Sequence, residues 1–146
     1  MEIVYRITEL DETKYSFNYE ADYRSVNRDE LVFQLSHSIE TDAAAGTVSV
    51  GIATRIVDPQ GTALAEEAAR ATFAVTPFAE FVAPGSADDE LQIQAPAVMD
   101  TFVHITIGAV RGMLAKNLKG TPLQGCVFPL IPMEELRKRL TKKNEG

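Results

Sequence analysis

The sequence predicts an α+β fold: a four-stranded antiparallel meander sheet, a long helix packed on one face, an extended proline-rich crossing and a short C-terminal helix. Apolar and polar residues alternate with period two in three segments of the first 58 residues, and from Pro96 onward the period becomes helical. The chain has 146 residues, of which 45% are hydrophobic, enough for one domain with a real core. We therefore predict a single domain over residues 1–146.

Strands are expected between about residues 3 and 81. In "KYSFNYEADY" the apolar positions occur at every second residue, which is typical of a half-buried strand. The segments "ELVFQLSHSIE" and "GTVSVGIATRIVD" repeat this pattern, with "AAAG" and "DPQG" as turns around the third strand. Consecutive strands joined by short turns predict an antiparallel meander.

The segment "ALAEEAARATFAVTPFAEF" could be a helix or a strand. Its alanines and glutamates favour a helix, whereas Thr72, Phe73 and Val75 favour a strand. Its position after a third strand and a tight turn favours a fourth strand, and Pro77 would end either element. The segment "APGSADDE" then predicts an exposed acidic loop at about 82–95.

A long helix is expected at about 96–119, with Gly120 as its C-terminal cap. It carries two apolar stripes, where an ordinary surface helix carries one. The first stripe is Met99, Val103, Ile107, Val110, Leu114 and Leu118, and the second is Val98, Phe102, Ile105, Ala109 and Met113. The pattern predicts a helix covered by its own sheet and by another subunit, without indicating which stripe faces which. The candidate oligomer interface is Phe102, Ile105, Gly108, Ala109, Gly112 and Met113.

The segment at about 120–132, which we call the crossing, combines apolar residues with Pro122, Pro129 and Pro132. Prolines keep a backbone extended and remove N–H donors, so such a strip can present side chains without recruiting a stray strand. The alternative is that the crossing seals one end of the sheet as core. A terminal helix is expected at about 133–141, and its basic run "RKRLTKK" fits a solvated helix end better than an anionic surface site.

Composition argues against several function classes. The net charge of −7 argues against nucleic-acid binding, which needs clustered Lys and Arg. His37, His104 and the lone Cys126 do not form a metal-ligand or nucleophile pattern, so we expect no metal, no cofactor and no enzymatic activity. We see no membrane-spanning stretch and no secretion signal, so we expect a cytoplasmic protein without membrane insertion.

The order of elements and the last third of the chain resemble the SecB protein-export chaperone family. The segment "FVHITIGAVRGMLAKNLKGTPLQGCVFPLIPMEELRKRL" is similar to the SecB helix, its "RGTFPQ"-like turn, the "LNLAPVNF"-like extended crossing and the final helix. The segment "TKYSFNYE" is similar to the first strand of the family.

This resemblance implies a homotetramer, built as a dimer of dimers with the long helix between dimers. It implies an ATP-independent holdase that binds unfolded polypeptide clients in an apolar groove, for protein export and translocation. The alternative is a SecB-fold protein dedicated to one partner, such as an antitoxin-linked chaperone or an assembly factor. The positions that match the groove are Phe78, Phe81, Leu123, Val127, Phe128, Leu130 and Ile131. The family's zinc-binding tail, which helps dock the SecA motor, has no counterpart in "LTKKNEG", so SecA binding stays an open alternative.

Overall fold

The computed structural model describes residues 2–82 and 95–129. These residues form a four-stranded antiparallel sheet with a long helix packed on one face. The predicted terminal helix at 133–141 and almost all of the predicted acidic loop at 82–95 lie outside the described residues. The elements are β1 (Val4–Phe17), β2 (Val32–Asp42), β3 (Thr47–Val57), β4 (Ala63–Thr76), α1 (Phe78–Phe81) and α2 (Pro96–Asn117), with a 3-10 turn at Arg28–Glu30 before β2.

The sheet order is β1-β4-β3-β2, which corrects the predicted meander. Strands β2, β3 and β4 do follow one another as hairpins, but β1 pairs with β4 and not with β2. The 18–31 segment carries the chain from one edge of the sheet to the other, which gives a Greek-key order. An alternating pattern shows which residues share a face of a strand, but it does not show which strand lies beside it.

Two strands end earlier than the sequence predicts. Strand β1 ends at Phe17, and the rings of Tyr19 and Tyr23 pack on Phe17 at 4.8 and 5.4 Å, so the later aromatic residues form a cluster in the following loop. Strand β4 confirms the strand interpretation of the ambiguous segment, and Pro77 ends it. The predicted strand region up to about residue 81 is therefore corrected, since it ends in the one-turn helix α1.

The core lies between α2 and the sheet, which settles which stripe faces the strands. All six residues of the first stripe are buried. The core has two clusters: one contains Phe73, Phe81 and Phe102, and the other contains Leu114, Leu118 and residues of the crossing. The rings of Phe102 and Phe73 stack with their centroids 4.1 Å apart, which fixes the height of α2 above β4.

Helix α2 ends at Asn117, two residues earlier than predicted, and Leu118 is its C-cap. Gly120 has a φ of 80°, a left-handed conformation that glycine adopts without steric cost. Within the described part of the chain, α2 is also the one helix that is long and apolar enough to cross a membrane by length and composition. Its apolar character has a local explanation, because one whole stripe packs on the sheet.

Candidate functional site

Strand β1 runs alongside α2 on the helix-covered face of the sheet. At one end the ring of Tyr5 packs edge-on against Phe102, with their centroids 5.0 Å apart. At the other end the hydroxyl of Tyr15 donates a hydrogen bond to the carbonyl of Asn117 at 3.1 Å. These two contacts place the strand and the helix side by side over most of the length of α2.

Between these contacts lies an apolar surface that the described chain leaves open. Tyr5, Ile7 and Leu10 pair in register with Val75, Phe73 and Ala71, which are buried under α2, so all three side chains share the helix-covered face. They are nevertheless 40% to 47% exposed, because α2 covers β3 and β4 more than β1. We name this region, with the adjacent open face of α2, the β1–α2 surface: Tyr5, Ile7, Leu10, Ile105, Gly108, Ala109 and Gly112.

The helix side of this surface has room for a close neighbour. Ile105 is 41% exposed, and a Cβ atom built on Gly108 or Gly112 would find no atom within 4 Å. Ala109 is half-buried, and Met113 is half-buried against the core. Of the predicted interface residues, Phe102 is corrected: it is fully buried in the core of the subunit and presents no surface to another chain.

Two arginines hold the crossing in place. The guanidinium of Arg28 donates to the carbonyls of Pro122 (2.8 Å) and Gln124 (2.7 Å). The guanidinium of Arg111 donates to the carbonyls of Phe128 (2.9 Å) and Pro129 (3.2 Å). A proline-rich segment beside a sheet has few backbone partners, and the forked guanidinium group can satisfy two carbonyls at once. Nothing in the sequence indicates this role for either arginine.

The described part of the crossing has one core side and one open side. Leu123 and Phe128 are buried with Leu114 and Leu118, and the ring of Phe128 packs edge-on against Phe33 at 5.5 Å. Val127, by contrast, is 56% exposed. The alternative reading of the crossing as core therefore applies to Leu123 and Phe128, whereas Val127 remains available for a ligand.

The predicted groove residues do not come together in one place. Phe81 is fully buried, with its ring 5.5 Å from that of Phe102, and the half-buried Phe78 packs on the same cluster. Leu123 and Phe128 belong to the other core cluster. Leu130 and Ile131 lie outside the described residues. Among the described groove candidates, Val127 is thus the most exposed.

A carboxylate pair lies where β1, β4 and the end of α2 meet. The side-chain amide of Asn117 donates to Oε2 of Glu12 and to Oε1 of Glu67, both at 2.7 Å. Glu67 is fully buried, and its Oε2 has no hydrogen-bond partner among the described groups. Burial and the neighbouring Glu12 raise the pKa of Glu67 to about 7. The sequence does not distinguish this residue from the adjacent Glu66.

The opposite face of the sheet is polar and internally paired. It carries a shallow cavity of about 380 Å³ lined by residues such as Ser36, Ala53 and Arg55. Glu66 at its edge accepts ion pairs from Lys14 at 2.6 Å and from Arg55 at 3.1 Å. In the described ranges, no group of three or more His, Cys, Asp or Glu residues is placed to hold a metal ion.

Comparison with known proteins gives a match at the level of the fold. No protein-family model and no curated protein matches the sequence. Among solved structures, the chain is similar to the Mycobacterium tuberculosis Rv1957 SecB-like chaperone, solved in complex with a ChAD peptide from the Rv1956 HigA1 antitoxin. The TM-score is 0.55 at 13% identity, covering 88% of this chain and 91% of that one. The fold is SecB-like.

A second match is the crystal structure of a protein of unknown function from Streptococcus agalactiae. Its TM-score is 0.40 at 8% identity, covering 89% of this chain and 100% of that one. The SecB-like fold agrees with the resemblance in the last third of the sequence.

Proposed function

We propose that this protein is a SecB-like chaperone that binds extended or unfolded polypeptide segments without ATP. The observation that carries the proposal is the SecB-like fold, which extends over 88% of the chain and is shared with a chaperone that holds a peptide. Exposed apolar groups on the β1–α2 surface and at Val127 support it, because contiguous apolar patches on a folded domain mark interaction sites.

The proposed assembly is a homotetramer built as a dimer of dimers, with α2 at an interface. The open face of α2 supports it, since Ile105 is exposed and the space above Gly108 and Gly112 is empty. A second backbone could approach these glycines closely. Among the residues that the sequence predicts for this interface, Ile105, Gly108, Ala109, Gly112 and Met113 remain candidates.

The proposed client site includes Val127, together with Leu130 and Ile131, which follow it in the sequence. The half-buried Phe78 packs on the other core cluster and stays a separate candidate. An extended peptide could lie along a proline-marked segment whose carbonyls are already bound by arginines, because it would meet side chains rather than free backbone groups. Each large apolar side chain withdrawn from water could contribute about 1.5–3 kcal/mol before ordering costs.

Two client ranges are compatible with this function. A generic cytoplasmic holdase for export would bind many unrelated unfolded chains, with or without the SecA motor. A dedicated chaperone would bind one partner, and the antitoxin peptide held by the Mycobacterium tuberculosis protein favours this second candidate. Neither the generic holdase nor the dedicated chaperone requires ATP or a metal.

The test is suppression of aggregation of two unrelated denatured proteins, with the Val127→Asp variant compared with Val4→Asp. Val4, which is 64% exposed against 56% for Val127, lies near the other end of the sheet and serves as the matched control. We expect Val127→Asp to lower suppression about tenfold or more and Val4→Asp to leave it unchanged. Suppression of neither client, together with tight binding of one partner, would identify the dedicated chaperone. If no unfolded polypeptide is bound at all, the proposed function is wrong.

A further inference from the structure

At the junction of β1, β4 and α2, the described residues place two carboxylates together, and no ion pair to either of them is found among these residues. Glu12 on β1 and Glu67 on β4 accept from the same amide nitrogen of Asn117, so their carboxylates are close neighbours. The described ion pairs of this region use Lys14, Arg55 and Glu66 on the opposite face of the sheet. A fully ionised pair here would place two negative charges side by side with only an amide between them.

A proton on one of the two carboxyl groups would remove this repulsion. The Oε2 atom of Glu67 is buried without a partner, which is costly for an ionised oxygen and acceptable for a carboxyl O–H that can donate to Glu12. The described groups near Glu67 on the other elements are the hydroxyl of Tyr15, the amide of Asn117 and the hydroxyl of Thr54, which donates to the backbone carbonyl of Glu67; all are uncharged at neutral pH. Removing the proton therefore brings no compensating positive charge from the described residues.

We propose that Glu12 and Glu67 share a single proton that acts as a latch, holding the first strand to the last turn of the long helix. With the proton in place, one network joins β1, β4 and α2 through Asn117. Without it, two carboxylates repel across the junction, and β1 loosens from the helix. This inference does not depend on client binding, although β1 carries three of the seven residues of the β1–α2 surface and the latch would also affect any assembly there.

The sign of the pH dependence follows from the raised pKa of Glu67. In the unfolded chain Glu67 ionises near 4.5, whereas in the folded chain it keeps its proton up to about pH 7. The stabilisation is therefore fully present below the pKa of Glu67 in the unfolded chain. It is lost as the pH rises through the pKa of Glu67 in the folded chain. The opening equilibrium of β1 should increase by up to about tenfold per pH unit between pH 5 and 7 and level off above about 7.5.

The experiment compares the wild-type protein with Glu67→Gln and Glu66→Gln by thermal unfolding between pH 5 and 8. We expect the wild-type melting temperature to fall across this window and that of Glu67→Gln to change much less, since the amide mimics the neutral carboxyl. Glu66→Gln removes ion pairs on the other face and should keep the wild-type slope. The wild type and Glu67→Gln share every other titratable group, so the difference in slope isolates Glu67. A wild-type slope in Glu67→Gln would overturn the proposal.

Two further measurements use the wild-type chain alone, so the test survives if Glu67→Gln fails to fold. Carbon-13 NMR should show the carboxyl of Glu67 titrating near pH 7, and a midpoint below 5 would refute the shared proton. Amide hydrogen exchange, corrected for intrinsic rates, should show β1 losing protection between pH 5 and 7.5 while β3 keeps it. Equal losses in both strands would contradict a latch at this junction.

Discussion

The different roles of the two apolar stripes of α2 can be tested by introducing one glutamate into each stripe. Ile107→Glu puts a carboxylate at a side chain that is 4% exposed and packed on the sheet. It loses about 1.5–3 kcal/mol of burial and adds several kcal/mol for an unpaired buried charge. Because a domain of this kind is stable by about 5–15 kcal/mol, the variant should be largely unfolded.

Ile105→Glu should behave differently, because Ile105 is 41% exposed in the single chain. The fold itself should change in stability by no more than about 0.5 kcal/mol. In an assembly that covers α2, however, the same change would bury an unpaired carboxylate in each copy and should dissociate it. Ala97→Glu, at an exposed position of α2 outside the β1–α2 surface, is the matched control and should keep the wild-type mass.

Circular-dichroism melts and light scattering after gel filtration measure the two effects separately. We expect Ile107→Glu to lose its cooperative melt and Ile105→Glu to keep it with a smaller mass. A wild-type protein that is monomeric at micromolar concentration would refute the interface. A normal melt for Ile107→Glu would refute the assignment of the first stripe to the sheet.

Three further predictions concern the crossing and the outer face of the sheet. Phe128→Ala should lower the free energy of unfolding in urea by about 3–5 kcal/mol, and Val127→Ala by less than about 0.5, whereas similar losses would contradict their different burial. Arg28→Ala should cost about 0.5–1.5 kcal/mol and speed amide exchange in the turn that it binds, and unchanged exchange would show that its two hydrogen bonds do not hold the turn. The hydrogen bond from Lys14 lowers the pKa of Glu66, so this carboxylate contributes stability above pH 4.5 that is lost as the pH falls through its folded pKa. Below pH 4.5, Glu66→Gln should therefore lose less stability than the wild type as the pH falls. The same loss in both proteins would refute the contribution of Glu66 to stability.

Periodicity predicts the elements of this fold well because each period reports a local geometry. Alternation identifies β2 and β3, position after a tight turn identifies β4, and the helical period identifies α2 to within two residues. The position of β1 could not be predicted in the same way. Its pairing with β4 is set by contacts between residues about 60 positions apart in the chain, and local sequence patterns carry no information on such contacts.

The candidate site was only partly predictable for a related reason. A doubly apolar helix correctly indicates that α2 packs on the sheet and leaves a second apolar face, yet the aromatic Phe102 of the second stripe turns into the core to stack on Phe73. Apolar character alone does not distinguish a groove from a core, so Phe81, Leu123 and Phe128 were predicted in the groove and lie buried. Arg28, Arg111 and Glu67 act through contacts with distant parts of the chain, and each looks like an ordinary charged residue in the sequence.

Binding of extended polypeptide by this SecB-like fold can be measured by fluorescence anisotropy of a labelled, permanently unfolded polypeptide titrated with the protein. We expect saturable binding with a Kd of about 1 µM or tighter, unchanged by ATP and competed by an unlabelled unfolded chain but not by the same chain when folded. An anisotropy that does not saturate up to roughly 100 µM protein, or equal competition by folded and unfolded chains, would contradict it.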